Sequence, residues 1–441
     1  VNVLDHLEAV PAVTAEPLAG HGNTLFRLVD DADAATWLTV DVVESGAEAA
    51  ARLAATADVA VVVVGDHPLV NGRETEDRTD LALAPAQDAV VRAARAANPR
   101  TVMVISSGYP VSWPDHDVPA VLWSSHGGQE YGHALAEVLL GDADPEGRLT
   151  QTWYRSAGEL PDLLDYDIVA ADATYLYYRG VPLFPFGHGL SYATFDYTSL
   201  AVSVAGDGGA ATVTVTNTGS RPGTEVVQFY THQRRSRVKQ PLRRLRGFER
   251  VRLAPGESRT VTLSFPVADL AFWDVTRGRF VVEAAPHRLM AGRSATDLRL
   301  SAPFQIGGPA GGESIPPRRG PLRAVDHDAY DAVAFVDAGR VSGDAVRSEA
   351  EGAWILFGDV EFAGAASGVI EAESTEGGVV TLRLGDPLHG PALGALPIPP
   401  TGRYAPARVT AELAEATGVH DLHVVFENEG ITLSTLNVAG A

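Results

Sequence analysis

The sequence predicts a multidomain chain: an open α/β sandwich domain, then a β-sandwich, then a second β-sandwich of jelly-roll type. Three observations predict it. From residue 46 to about 141, alanine-rich helical stretches alternate with continuous apolar strands. From about 196 the pattern changes to short segments of period 2, the signature of half-buried strands. A Gly- and Pro-rich stretch, GGPAGGESIPPRRGP at 307–321, separates that block from another of the same kind. The length, 441 residues, agrees with several domains of roughly 100–200 residues each.

Taken in order, residues 1–45 are mixed in character and read as the remnant of a preceding domain or an insert. GAEAAARLAATA (46–57) has the alanine and leucine content of a helix. DVAVVVVGD (58–66) is apolar throughout, as a parallel strand buried on both faces must be. PAQDAVVRAARAANP (85–99) carries Pro at its first position and Asn-Pro at its end, which are helix start and stop signals. RTVMVISSG (100–108) and VPAVLWSS (118–125) are the next strands, and GGQEYGHALAEVLLG (127–141) is a helix closing on Gly141. This alternation is that of an open α/β sheet, placed at 46–195. Residues 142–192 are loop-rich and aromatic, with TWY, YLYY and PLFPFGHGLSY. A β-sandwich follows at 196–306, with strands in SLAVSVAG, ATVTVTNTG, EVVQFYTH, RTVTLSFP and GRFVVEAA. A linker at 307–322 leads to the last module at 323–441, with strands in WILFGDVEF, GVIEAES, VVTLRLGD, LHVVFENE and ITLSTLNV.

Composition excludes several functions. The net charge of -22 argues against nucleic acid, whose phosphates need a basic footprint. The one basic stretch, RRSRVKQPLRRLRGFERVR at 234–252, reads as the strand-and-loop surface of a β domain, since acidic segments surround it. There is no cysteine, hence no disulfide and no thiolate chemistry. No apolar run reaches the roughly 18 residues that would span a bilayer. The chain opens at Val1 with no recognisable signal segment, so the compartment is open and a fragment of a longer protein is expected.

The richest chemistry lies in NGRETEDRTDLAL (71–83), which sets Glu74, Glu76 and Asp77 between Arg73 and Arg78. It follows the strand ending at Gly65, and open α/β sheets bind ligands outside the carboxyl ends of their strands. SSG after Ile105 and SSHGGQE after Trp123 occupy the same rim, the latter supplying His126. Paired carboxyl groups cleave glycosidic bonds when one of them holds a proton near neutral pH, through burial or a neighbouring negative charge. The residues alone leave two readings open: half of such a site, or the commoner case of a solvated charged loop. Ser106, Ser107, Ser124 and Ser125 stand near His126, but no G-x-S-x-G elbow supports a Ser-His-Asp triad. Neither a dinucleotide fingerprint, a phosphate-binding loop nor an H-E-x-x-H metal pattern occurs. In the last module Trp354 and Tyr404 are candidate platforms for a sugar ring and Asn428 a candidate hydroxyl partner; core and turn roles are the plainer readings.

GRETEDRTDLAL, AANPRTVMVISSGYPV, VLWSSHGGQEYGHALAEVLLGDADPEGRLTQTWY and PLFPFGHGLSYATF, in this order and spacing, resemble the C-terminal half of a glycoside hydrolase family 3 enzyme. VTVTNTGSRPGTEVVQFY, LRGFERVRLAPGES and FWD resemble the fibronectin type III-like domain, an Ig-type sandwich, that follows in that family. GAWILFGDVEFAG, VTLRLGD, PPTGRY and GVHDLHVVF are similar to a family 6 carbohydrate-binding module. The resemblance implies a retaining exo-β-glycosidase of β-glucosidase or β-xylosidase type, acting on oligo- or polysaccharide. It implies a nucleophilic aspartate on an N-terminal (β/α)8 barrel, which these residues do not include, so this stretch alone is expected to be inactive. The family's general acid/base stands three residues before an Asp-Arg pair; here that pair is Asp77-Arg78 and the glutamate is Glu74. Arg73, Asp77, Arg78 and His126 would then shape the site. No cofactor is implied for catalysis, and a structural Ca2+ is implied only for the last module. Thr150 replaces a common proline, and Tyr404 stands where a tryptophan is common, which weakens the sugar-binding expectation there. The rival readings are a non-catalytic carbohydrate-binding chain and a purely structural multi-β protein.

Overall fold

The computed structural model describes residues 46–66, 78–113, 117–307, 311–341 and 343–439, and the backbone alone of 13–18, 25–30 and 36–40. The first domain is built on a mixed sheet of six strands. Strands β1 (Val13–Leu18), β2 (Leu25–Asp30) and β3 (Thr36–Val40) run antiparallel to one another. β3 then pairs in parallel with β4 (Val59–Gly65), β4 with β5 (Thr101–Ser106), and β5 with β6 (Ala120–Ser124). The stretch before residue 46, mixed in sequence, thus adds three strands to the sheet.

β4 is nearly all valine because both of its faces are covered. Ala60, Val62 and Val64 face a cluster with α1 (Ala47–Ala54) and α2 (Pro85–Ala97), while Val61 packs on the other face beside α3 (Tyr131–Leu140). Each buried valine contributes roughly 1.5–3 kcal/mol. Helix α1 is short, and its terminal carbonyls are capped from outside: the buried Asn98 amide donates to Ala54 O (3.0 Å) and Ala57 O (2.7 Å). Helix α3 ends on Gly141 in the left-handed conformation, as the sequence suggests.

The second domain is a sandwich. One sheet has the order β10-β9-β14-β15, the other β11-β8-β7, from β7 (Phe195–Ala205), β8 (Gly208–Asn217), β9 (Gly223–Gln233), β10 (Arg244–Leu253), β11 (Ser258–Pro266), β14 (Pro286–Gly292) and β15 (Leu298–Gln305). The expected strand over GRFVVEAA is only a three-residue arm, β13 (Arg279–Val281), of a small hairpin with β12 (Phe272–Asp274). Its missing share of the sandwich is supplied by β14, whose PHRLMAG alternates poorly and is buried along most of its length.

A dense polar joint binds the first two domains. Asp144 accepts from Ser191 Oγ (2.9 and 2.8 Å), Tyr192 N (2.8 Å) and Thr224 N (2.8 Å). Arg148 reaches Glu225 Oε1 at 3.1 Å and Arg293 reaches Oε2 at 3.0 Å, the Glu225 side chain being fully buried. Gln228 donates to Gly187 O at 2.9 Å. A side chain at Gly187 would place Cβ 2.1 Å from Gln228 Oε1, on a backbone with φ 79°.

The third domain is a jelly-roll sandwich. Two long strands, β16 (Ala353–Glu373) and β17 (Ala407–Phe426), pair along their length. Register shifts between Phe357/Val360, Ala363/Ala365 and Ala365/Ser367 mark where the pair bends. Two expected strands, WILFGDVEF and GVIEAES, are therefore one. Ile355, Phe357, Phe362, Val424, Phe426 and Leu436 share the core. The presumed linker is tied down at both ends. Ala284 N donates to Glu313 O and Glu313 N to Val282 O, both at 2.8 Å, while Arg279 and Arg277 bind the Glu313 carboxylate. Arg318, 2 % exposed, donates to Asp326 O at 2.9 Å and to Asp328 Oδ1 at 2.5 Å inside the last module.

Candidate active site

The carboxyl ends of β4, β5 and β6 form one rim, and what they hold is set by the ends of the charged loop. Arg73, Glu74, Glu76 and Asp77 lie outside the described residues; Asp66 before them and Arg78 after them are within. Gly65 ends β4 against β5 so closely that a Cβ there would sit 1.8 Å from Ser106 O. Gln87 of α2 clamps this residue on both sides, its amide donating to Gly65 O (2.8 Å) and accepting from Gly65 N (3.2 Å).

Asp66 is the residue that sequence reasoning missed. Its side chain is 4 % exposed; Oδ1 accepts from Gly108 N at 3.1 Å and lies 3.3 Å from His126 Nε2. Oδ2 is buried without a hydrogen-bond partner among the described residues. A buried carboxylate of this kind needs compensation, and His126 from the β6 loop is the group at hand. The only sequence signal was its position, one residue past a buried strand.

On the far side of the loop, Arg78 Nη2 donates to Pro110 O at 3.0 Å and its guanidinium lies 5.1 Å from the Tyr109 ring centroid. Leu83 N and Ser112 O (3.2 Å), with Ser112 N and Leu81 O (2.7 Å), continue that attachment as a parallel bridge. Asp66 and Arg78 are therefore both fastened to the turn that follows β5. That turn is stiff: the buried Ser107 hydroxyl donates to Tyr109 O (2.5 Å) and accepts from Tyr109 N (3.0 Å). Ser124 donates to Ser125 O. These hydroxyls are engaged with backbone, and none is hydrogen-bonded to His126 as a triad would require.

In the last module the three expected sugar contacts keep separate company. Trp354 stands on the outward face of β16 with its ring 5.3 Å from the buried His423 ring. Burial lowers the His423 pKa, so the ring is neutral. Asn428 Oδ1 accepts from Val379 N at 3.1 Å and its carbonyl accepts from Ser348 Oγ, which is a turn role. Tyr404 has φ 60°, a conformation costing a bulky residue about 1–2 kcal/mol, and its ring lies 4.8 Å from the Arg403 guanidinium. Beside it opens a cleft of about 720 Å³ whose wall includes Asp337, Arg347, Glu349, Glu373, Arg403 and Glu429. Charged and hydroxylated rather than aromatic, this wall suits sugar hydroxyls, and its residues come from five separate stretches of strand end and loop that no sequence pattern links. Among the described residues no three His, Asp or Glu side chains converge as metal ligands, so the Ca2+ implied for this module finds no side-chain carboxylate cluster there.

Residues 3–192 match the glycosyl hydrolase family 3 C-terminal domain, 225–295 a fibronectin type III-like domain, and 323–439 the carbohydrate binding module of family 6. The chain is 34% identical over 284 residues to a β-glucosidase of Rhizobium radiobacter, covering 60% of this chain and 34% of that one. It is 34% identical over 275 residues to thermostable β-glucosidase B of Acetivibrio thermocellus, covering 58% and 36%. Among solved structures, the β-glucosidase of Kluyveromyces marxianus in complex with glucose superposes with a TM-score of 0.56 at 33% identity, over 61% of this chain and 34% of the other. The family 3 β-glucosidase of Bifidobacterium adolescentis gives 0.56 at 30% identity, over 59% and 41%. The chain thus spans about a third of the length of the curated relatives it matches.

Proposed function

We infer that this chain, a member of glycoside hydrolase family 3 by its C-terminal domain, serves as the acid/base-bearing part of a retaining exo-β-glycosidase. The observation that carries this reading is the mounting of the segment 67–77. Both its flanks are fastened to one rigid turn at the carboxyl rim of a parallel sheet, where such sheets bind ligands. In this reading Glu74 gives its proton to the glycosidic oxygen while the nucleophilic carboxylate attacks the anomeric carbon and the aglycone departs. Glu74, now a base, takes a proton from the water that hydrolyses the glycosyl-enzyme. The nucleophile, about 5 Å away in a retaining pair, must come from a part of the protein beyond these 441 residues. Arg78 and Asp77 shape the loop, and the Asp66–His126 pair closes its base. The names of the relatives favour a terminal β-glucosyl unit over a xylosyl one, and the last module supports an oligo- or polysaccharide substrate.

The test uses the full-length protein. Glu74→Ala should still form the glycosyl-enzyme from an aryl glycoside with a good leaving group, lose turnover of a poor one, and with azide turn over the good substrate faster, releasing its glycosyl unit as a β-glycosyl azide. Unchanged hydrolysis of the poor substrate would place the acid elsewhere and leave the charged loop as solvated surface.

A further inference from the structure

The basic stretch 234–252 is mostly spent on structure. Arg237 pairs with the buried Asp274, Arg243 donates to Ala295 O, and Arg250 pairs with Glu146. Of its other cations, Arg244, Arg246 and Lys239 converge on one cavity of about 240 Å³. Its wall joins the start of β10 to Tyr177 of the first domain and to Trp273 and His287 of the second. Every charged group in this wall is a cation, within a chain of net charge -22.

The three cations are unequally satisfied. Lys239 is neutralised by Asp172 at 2.8 Å, which also lies 3.5 Å from Arg179. Among the described residues Arg246 is bound to neutral acceptors: Nε donates to Thr231 Oγ1 at 2.6 Å and Nη1 to the carbonyl of Asp269. The Asp269 carboxylate is near enough to act on it through space, but that side chain is exposed and screened. Arg244 has no hydrogen bond or ion pair among the described residues. Burial and the neighbouring Arg244 charge push the Arg246 pKa down to about 10. A half-buried guanidinium held beside a like charge is costly unless an anion joins it. The neutral part of the wall suits a ring with hydroxyls: Trp273, half exposed, stands at the mouth, and Thr231, Gln233, Gln240 and His287 offer polar atoms.

We propose that this cavity between the first two domains is a binding site for the carboxylate of an acidic sugar, a uronosyl unit, with Arg244 and Arg246 as the oxyanion fork and Trp273 as the ring platform. The oxyanion part stands on the cavity alone; the choice of a sugar acid rests on the glycosidase reading.

The experiment is calorimetric titration of the full chain with D-glucuronate, methyl β-D-glucoside and inorganic phosphate at low salt. Glucuronate should bind, the neutral glucoside should not, and affinity should fall with added NaCl. Arg244→Gln, at an exposed position that folding does not depend on, should weaken glucuronate by about tenfold, as loss of one charge-assisted bond does. Arg246→Gln should do at least as much, and Trp273→Ala should weaken glucuronate further. No glucuronate binding, glucuronate binding unaltered in Arg244→Gln, or phosphate binding as tightly as glucuronate would each overturn the proposal. Because the Glu74 azide test reports on a different domain surface, failure here leaves that result standing.

Discussion

Glu225→Gln is the sharpest test of the joint between the first two domains. Glu225 is fully buried and is held by two guanidinium groups: Arg148 from the first domain, 8 % exposed, at 3.1 Å, and Arg293 from its own domain, 15 % exposed, at 3.0 Å. At an effective dielectric constant of about 20, each contact is worth roughly 5 kcal/mol of Coulomb attraction. Desolvation offsets most of this in the intact pair, but not when one partner is removed. Glutamine keeps the shape and deletes the charge, leaving two sequestered cations facing a neutral amide. Breaking a buried pair in this way costs about 3–5 kcal/mol, and a carboxylate shared by two cations belongs at the upper end.

The assay is urea unfolding of the full chain followed by tryptophan fluorescence, with hydrogen exchange along β9 as the local readout, because a three-domain chain need not unfold in one step. Arg148→Met, and then the double variant, complete a cycle across the domain boundary. The coupling should be about 1.5–3 kcal/mol and the β9 amides should lose protection together. A loss below about 1 kcal/mol in Glu225→Gln, or a coupling indistinguishable from zero, would mean that the joint is water-accessible and that the two domains move independently.

Three further outcomes are expected. Gly65→Ala must part β4 from β5, since its Cβ would lie 1.8 Å from Ser106 O; a loss of about 2–4 kcal/mol by thermal or urea unfolding is expected, and a neutral result would contradict the close approach. Arg78→Met frees one flank of the 67–77 segment from Pro110 O and the Tyr109 ring, so kcat/KM of the full-length protein should drop roughly 10- to 100-fold while the melting temperature hardly moves. His188, His287, His327 and His423 all have pKa values lowered by burial, so the native state takes up fewer protons than the unfolded chain. Their contribution to stability is complete above the unfolded value of about 6.5 and is lost as pH falls below it; the melting temperature should decline through that window, and His287→Asn should flatten the decline.

The sequence made the three modules legible because period and composition change where the burial geometry changes. Valines 61–64 could only be a strand covered on both faces, and Gly141 could only end a helix. What stayed hidden depends on distant partners. PHRLMAG alternates poorly because both faces of β14 are covered, so it did not read as a strand. Residues 307–321 read as a free linker, yet Glu313 and Arg318 fasten that stretch through partners some 10 to 36 positions away. Asp66 shows the same limit at the rim: a lone aspartate after a strand carries no signal, and its importance comes from Gly108, 42 positions on, and from His126.

The motifs that most strongly mark the family are not those that would perform its chemistry. GDADPEGRL and PFGHGLSY contribute Asp144, Glu146, Arg148, Gly187, Ser191 and Tyr192, and each of these is spent on the joint with the second domain. A buried polar joint is costly to disrupt, because every donor left unpaired costs about 1–3 kcal/mol. The segment proposed to be catalytic needs anchored flanks and one carboxyl group at the right offset. If that is the division of labour, then substitutions in the two motifs should lower stability and domain coupling first and activity only as a consequence. Glu74→Ala should do the reverse, leaving the unfolding curve unchanged while abolishing turnover of poor leaving groups. A Ser191→Ala variant of the full-length protein with normal stability but impaired chemistry would break this argument, since Ser191 touches only Asp144 and the backbone of Ala193 in the joint.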